Sequence, residues 1–305
     1  MRALVIGGNG FIGASLVEAL RARGASVAVL DPGRPRADVD WRGVEYHAGS
    51  LADSAATAKA LEGVQVVFHL ASTTVPGTSN LDPQADVQGN LVATLGLLGA
   101  MRAAGVRRIV YFSSGGTVYG NPTVSPVPES HPLHPISSYG VVKVAIENYL
   151  HMYQQLGELE PVVLRPSNPF GPRQSTAGVQ GAVAAFLGRA LRGEPVRIWG
   201  DGEVVRDYLY IDDLAELAAI AGLSGQTGVF NVGSGEGHSL NELCATIGRV
   251  TGRPLQVEYL PGRAFDVRKV VLDVTAARSR FGWTPAVALE DGIARTWRAL
   301  LALSP

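Results

Sequence analysis

One cysteine, Cys244, stands among 305 residues, so no intrachain disulfide can form and the thiol reads as a core residue of a helix. Charge of either sign is in no surplus. Twenty-six Lys and Arg face 27 Asp and Glu, a formal net charge of -1 that offers no surface for nucleic acid or another polyanion. The six histidines (47, 69, 131, 134, 151 and 238) show no ligand spacing, so no metal site is expected. No apolar stretch runs long enough without charge to span a bilayer, and Met1 leads straight into an apolar run. A soluble, cytoplasmic protein with no transmembrane segment is the expectation. Repeats and low-complexity tracts are missing as well. A chain of this length can bury a large core, as one large domain or two intimately joined ones.

What is there begins at the N-terminus. Arg2-Ala3-Leu4-Val5-Ile6 is short, apolar and branched, as expected of a strand buried on both faces. Gly7-Gly8-Asn9-Gly10-Phe11-Ile12-Gly13 follows, and Ala14–Leu20 then reads as a helix ended by Gly24. In that setting Gly7 permits a tight turn, Gly10 lets backbone approach a pyrophosphate, and Gly13 allows close helix–strand packing. The helix N-terminus offers free N–H groups to phosphate. A second strand, Ser26–Leu30, ends in Asp31, whose carboxylate can accept hydrogen bonds from both ribose hydroxyls of an adenosine and repel a 2′-phosphate. NAD is therefore favoured over NADP, with Arg34 and Arg36 close by as the opposing feature.

Tyr139 and Lys143 stand four apart in Tyr139-Gly140-Val141-Val142-Lys143, on one face of a helix. A cation beside a phenol stabilises the phenolate and lowers its pKa from about 10 toward the range useful for base catalysis. Alone, such a pair is common on solvated helix faces; the nucleotide fingerprint is what gives it chemistry. Ser114, after the strand-like Ile109–Phe112, would present its hydroxyl at a strand's carboxyl end.

The remaining pattern supports an α/β, Rossmann-like, doubly wound parallel sheet carrying a smaller α/β substrate-binding lobe. Val64–Leu70, Arg108–Phe112 and Pro161–Leu164 read as strands, and Asn90–Ala104 and Tyr139 to about Leu156 as helices. From Arg165 onward, Pro- and Gly-punctuated loops mix with short elements. The expected division is a nucleotide-binding domain over 1–165, with a returning segment near 205–233, and a mostly substrate-binding lobe over 166–305.

Taken together in order, several motifs resemble the extended short-chain dehydrogenase/reductases, in particular the sugar-nucleotide epimerase/dehydratase group. They are Gly7–Gly13, His69-Leu70-Ala71, Ser113–Gly120, Tyr139–Lys143, Leu164–Pro169, Arg206-Asp207-Tyr208 and Asn231-Val232-Gly233. The nearest subgroup is the carbon-4 epimerases. The resemblance implies that Tyr139 takes the proton of the sugar's 4-hydroxyl while hydride leaves carbon 4 for tightly held NAD. Lys143 would hold the nicotinamide ribose, and Ser114 would hydrogen-bond the reacting oxygen. The 4-keto sugar then turns and recovers hydride on its other face. Phe11, Ile12, Ser50, Leu51, Leu70 and Ala71 fall at cofactor positions. Asn168, Arg206, Arg263, Asp266 and Trp199 fall around the nucleotide diphosphate and nucleoside. A homodimer built on the helices near Asn90–Ala104 and Tyr139–Leu156 is implied too.

Departures narrow the reading. Counting back from Val118-Tyr119-Gly120 puts the usual serine at Gly115; counting back from Tyr139 selects Ser114. Ser50 stands where an aspartate often meets adenine, leaving that contact to Leu51 and backbone or to Asp53. Gly115 and Gly116 replace the acid–base pair of a 4,6-dehydratase. Val270, at a position near the sugar, suggests a pocket roomy enough for N-acetylated sugars. Ser72–Pro76 and Ser113–Gly120 are similar to epimerases of surface-polysaccharide pathways, some of which act on lipid-linked N-acetylhexosamine. A nucleotide-sugar 4-ketoreductase and a non-enzymatic NAD-sensing module are the competing classes.

Overall fold

The computed structural model describes residues 1–177, 181–262 and 267–303. In chain order the first elements are β1 (Arg2–Ile6), α1 (Phe11–Ala22), β2 (Ser26–Asp31), β3 (Glu45–Ala48), α2 (Ser54–Ala60) and β4 (Val66–His69). After a 3-10 turn at Ser79–Leu81 come α3 (Pro83–Asp86), a π-helical turn (Val87–Val92), α4 (Ala93–Ala103), β5 (Arg108–Phe112), α5 (Ser138–Gln155) and β6 (Glu160–Pro166). Then follow β7 (Asn168–Phe170), α6 (Ala182–Arg192), β8 (Val196–Trp199), β9 (Val205–Arg206), β10 (Tyr208–Tyr210), α7 (Ile211–Leu223) and β11 (Gly228–Val232). The chain closes with β12 (His238–Ser239), α8 (Leu240–Thr251), β13 (Val257–Leu260), β14 (Lys269–Val270), α9 (Thr275–Phe281) and α10 (Leu289–Leu303).

Two compact units result. The first takes Met1–Val118, Pro135–Arg165 and Ala215–Phe230; the second takes Tyr119–His134, Pro166–Leu214 and Asn231–Pro305.

The first unit is built on a parallel seven-stranded sheet ordered β11-β6-β5-β4-β1-β2-β3. Its inner strands β1, β2, β4 and β5 are largely apolar on both faces, as a sheet covered on both sides requires, whereas the edge strand β3 is partly exposed. Leu4, Val67, Ile109 and Val163 are buried in it, with Leu97, Met101, Ile146 and Leu150 of α4 and α5 in the same core. The order reverses at β1, which has β2 on one side and β4 on the other. Ligands of open α/β sheets bind at the carboxyl ends beside such a switch point. The register puts Ile6, Leu30 and His69 level, and His69 level with Tyr111. Gly7, Asp31, Leu70 and Ser113 therefore leave the sheet along one edge.

The helix expected over Asn90–Ala104 starts differently. A π-helical turn precedes α4, and Asp86, just before it, and Asn90, within it, are both buried. Sequence reading also passed over β3 and α2, both short; α2 is capped by Asp53, which accepts from Ala55 N and Ala56 N.

The second unit carries three small sheets, β10-β7, β12-β9-β14 and β13-β8. In β8 burial alternates, with Val196 and Ile198 inside and Arg197 and Trp199 outside.

Candidate active site

Gly7 sits at φ +83°, in the left-handed region that the tight turn after β1 demands. A Cβ on Gly13 would lie 2.7 Å from Gly8 Cα, so α1 approaches the turn as closely as its backbone allows. Gly10 is the N-cap of α1 and provides no side-chain cap, which leaves the first N–H groups, around Phe11 and Ile12, open to an anion. Asp31 accepts from Asn9 N at 3.1 Å and Gly33 N at 2.8 Å, one bond to each carboxylate oxygen. Each oxygen keeps a lone pair for a ribose hydroxyl. Arg36 is committed to a two-pronged pair with Asp38, at 2.9 and 2.8 Å, which withdraws it from the role of a 2′-phosphate ligand. Asp53 is occupied as the cap of α2, whereas Ser50 is exposed and Leu51 packs on the core. Leu70 N and Ala71 N both donate to Ile6 O, which brings them against the glycine turn. This set of residues fits NAD.

α5 begins where it does because three side chains hold its first turn. Ser137 Oγ accepts from Gly140 N, Asn80 Oδ1 from Ser138 N at 2.7 Å, and Ser79 Oγ from Tyr139 N at 3.1 Å. Tyr139 and Lys143 then share one face, with Lys143 Nζ 5.3 Å from the centre of the Tyr139 ring and 4.9 Å from that of Tyr111. The ammonium donates to Phe112 O at 2.7 Å. Around them is a cavity of ≈ 10 Å³, room for one water, lined also by His69, Asp86, Asn90 and Thr94. His69 Nε2 meets Thr94 Oγ1 at 2.8 Å, whereas its Nδ1 and the Tyr111 hydroxyl have no hydrogen-bond partner among the described residues.

The two serines divide cleanly. Ser113 donates to Glu147, which is locked in a buried two-pronged pair with Arg165 (3.1 and 2.5 Å). Ser114 is half-buried, its carbonyl taking Thr117 N and Val118 N and its hydroxyl uncommitted to such a lock. Thr117 Oγ1, three residues on, is buried with no partner among the described residues.

The chain's own groups do not lower Tyr139. Burial pushes it up to about 12 and the charge of Asp86 adds to that, so the expected pull of Lys143 is outweighed. Lys143 is itself pushed down to about 8 by burial, against the support of Glu147 and Asp86. Burial, helped by Lys143, takes His69 down to about 3 and keeps it neutral. Asp86 and Asn90 were missed in the sequence. Two polar residues four apart, one helical turn, were the available signal.

In the second unit a cleft of ≈ 690 Å³ gathers Asn168, Trp199 and Arg206, together with Phe186, Arg189 and Tyr208. Guanidinium groups suit a diphosphate and the indole suits a flat base. Asn168 is oriented by donating to Asp207 O at 3.0 Å. Val270 is buried and pairs with Arg206 across β14 and β9 but does not line this cleft. Arg263 and Asp266 lie outside the described residues. Among the described residues no group of three His, Cys, Asp or Glu could hold a metal, and no helix is long and apolar enough to cross a membrane.

Comparison with known proteins bears directly on this arrangement. The model of the NAD dependent epimerase/dehydratase family matches residues 3–233. A UDP-glucose 4-epimerase of Mycolicibacterium smegmatis is 40% identical over 97% of each chain. The crystal structure of Thermotoga maritima UDP-glucose 4-epimerase with UDP-glucose superposes with a TM-score of 0.94, at 37% identity over 99% of each chain. That of the Thermus thermophilus enzyme in complex with NAD gives 0.93 at 37% identity over the full length of both. With that match and those relatives, the chain belongs to the NAD dependent epimerase/dehydratase family.

Proposed function

We propose that this protein interconverts nucleotide sugars that differ in configuration at carbon 4, with NAD as a resident cofactor. The observation that carries the reading is the pairing of half-buried Tyr139 with buried Lys143 on a unit whose glycine turn and Asp31 fit NAD, in a chain 40% identical to a UDP-glucose 4-epimerase. When bound, NAD supplies a two-electron acceptor and donor for carbon 4. Tyr139 takes the proton of the 4-hydroxyl and returns it to the other epimer. Lys143 stabilises the phenolate electrostatically, and Ser114 holds the reacting oxygen. Asn168, Arg206 and Trp199 hold the nucleotide diphosphate, Arg206 by charge and Trp199 by stacking. UDP-glucose and UDP-galactose are the first substrates to try, and the N-acetylated forms the second.

The protein works as a homodimer in this reading. Val141, Tyr149 and Met152 of α5 and Leu156 just after it form an exposed apolar stripe, and Val87 and Val92, at the two ends of the π-helical turn, are exposed as well. Light scattering at about 64 kDa, twice the 32.0 kDa chain, is the expected result.

Proton NMR of UDP-glucose with the purified protein and no added cofactor tests the activity. Growth of a second anomeric signal to a constant ratio is expected. No second signal from UDP-glucose, together with reduction of a 4-keto nucleotide sugar that consumes added reduced cofactor mole for mole, would make the protein a 4-ketoreductase instead.

A further inference from the structure

Asp86, the last residue of α3, is completely buried and forms no ion pair among the described residues. Its Oδ1 accepts from Thr74 Oγ1 at 2.7 Å and Asn90 Nδ2 at 2.8 Å; its Oδ2 accepts from Ser138 Oγ at 2.6 Å. Asn90 also donates to Thr74 Oγ1, at 3.1 Å, so the Thr74 proton is directed to the carboxylate. Every neighbour is thus a donor, an arrangement that suits a carboxylate and not a carboxylic acid. Ser138 is the first residue of α5, one before Tyr139, and Asp86 lines the same small cavity as Tyr139 and Lys143.

We propose that Asp86 is a positioning residue of the Tyr139–Lys143 pair, a buried anion that fixes the first turn of α5 through Ser138 and biases where the pair's proton resides. The proposal rests on Tyr139 being the acid–base group. A buried carboxylate without a neutralising partner is costly, and the hydroxyl and amide donors offset only part of that cost. Its charge then favours protonated neighbours. Tyr139 and Lys143 face it from α5, with Glu147 one turn further along; Tyr111 faces it from β5 and neutral His69 from β4. Asp86 acts in the same sense on both members of the pair: it raises the tyrosine and supports the charge on the lysine against burial. Lys143 is thereby kept an ammonium, able to stabilise the phenolate as it forms.

The test reads the phenol itself, so it is independent of turnover. In the full-length protein labelled with carbon-13 at tyrosine Cζ, the Tyr139 resonance is identified by its loss in Tyr139→Phe and followed against pH. Asp86→Asn is expected to lower its midpoint by about one pH unit and to shift the acid limb of the kcat profile in the same direction. Ser138→Ala, which removes a hydrogen bond and keeps the anion, is expected to leave the midpoint in place. A midpoint unmoved in folded Asp86→Asn overturns the proposal, as does an equal fall in Ser138→Ala. Should Asp86→Asn not fold, the carboxyl carbon of Asp86 in the unaltered protein reports the same coupling. It is expected to show an inflection as Tyr139 ionises, and a flat trace contradicts the proposal.

Discussion

Asp86 in the first unit and Asp207 in the second are both fully buried, and their surroundings differ in kind. Asp207 accepts from Ser234 N at 2.7 Å, Ser234 Oγ at 2.8 Å, Gly235 N at 3.2 Å and Leu272 N at 3.3 Å. Three of the four donors are backbone, so the carboxylate ties loops together; burial raises its pKa against the pull of those bonds. Asp86 receives side-chain donors only, beside a phenol and an ammonium. In the proposed reading, one carboxylate holds a frame for recognition and the other stands next to the groups that would move protons. The same contrast separates the cavities, one of ≈ 10 Å³ crowded with ionisable groups and one of ≈ 690 Å³ lined by aromatic, apolar and guanidinium groups.

That contrast can be broken from either side. The largest effect is expected from Gly13→Ala, whose Cβ meets the Gly8 backbone and spreads the glycine turn. The purified variant should retain no NAD by absorbance and show no turnover. Asp207→Ala leaves three backbone N–H groups without their acceptor and should cost roughly 3 kcal/mol of stability in urea unfolding. Arg206→Ala should raise KM on the order of 10- to 100-fold, the loss of a charged hydrogen bond, with kcat changed far less. A comparable drop in kcat would merge the roles of the two units.

The effect that is smallest near neutral pH, and grows as pH falls, concerns His69. Its unfolded pKa is about 6.5 and its folded value about 3, so below pH 6.5 the unfolded chain binds a proton that the folded chain refuses. Stability from this residue is fully present above pH 6.5 and is lost as pH falls toward 3. Urea midpoints across that window should decline less steeply in His69→Asn than in the unaltered protein.

How far the sequence was legible follows the same division. β5 runs over Arg108–Phe112 as read, and α5 is Ser138–Gln155 against an expected Tyr139 to about Leu156, because parallel buried strands are uniformly apolar and the helix has a clear start. The π-helical turn was invisible, since six residues are too few for a periodicity that separates i→i+5 from i→i+4 bonding. β9, β12 and β14 have two residues each, too short for any periodicity. The direction of the Tyr139 shift was read as downward because spacing reveals the lysine four residues away. It does not reveal burial, or a carboxylate 53 positions earlier in the chain, and those dominate.

The central claim is that Tyr139 does the chemistry while NAD binding is independent of its hydroxyl. Tyr139→Phe, purified with its NAD and incubated with UDP-glucose under proton NMR, tests this most directly. The expected result is NAD content equal to the unaltered protein and turnover reduced by about 10²- to 10⁴-fold. A second anomeric signal growing at the unaltered rate would contradict it.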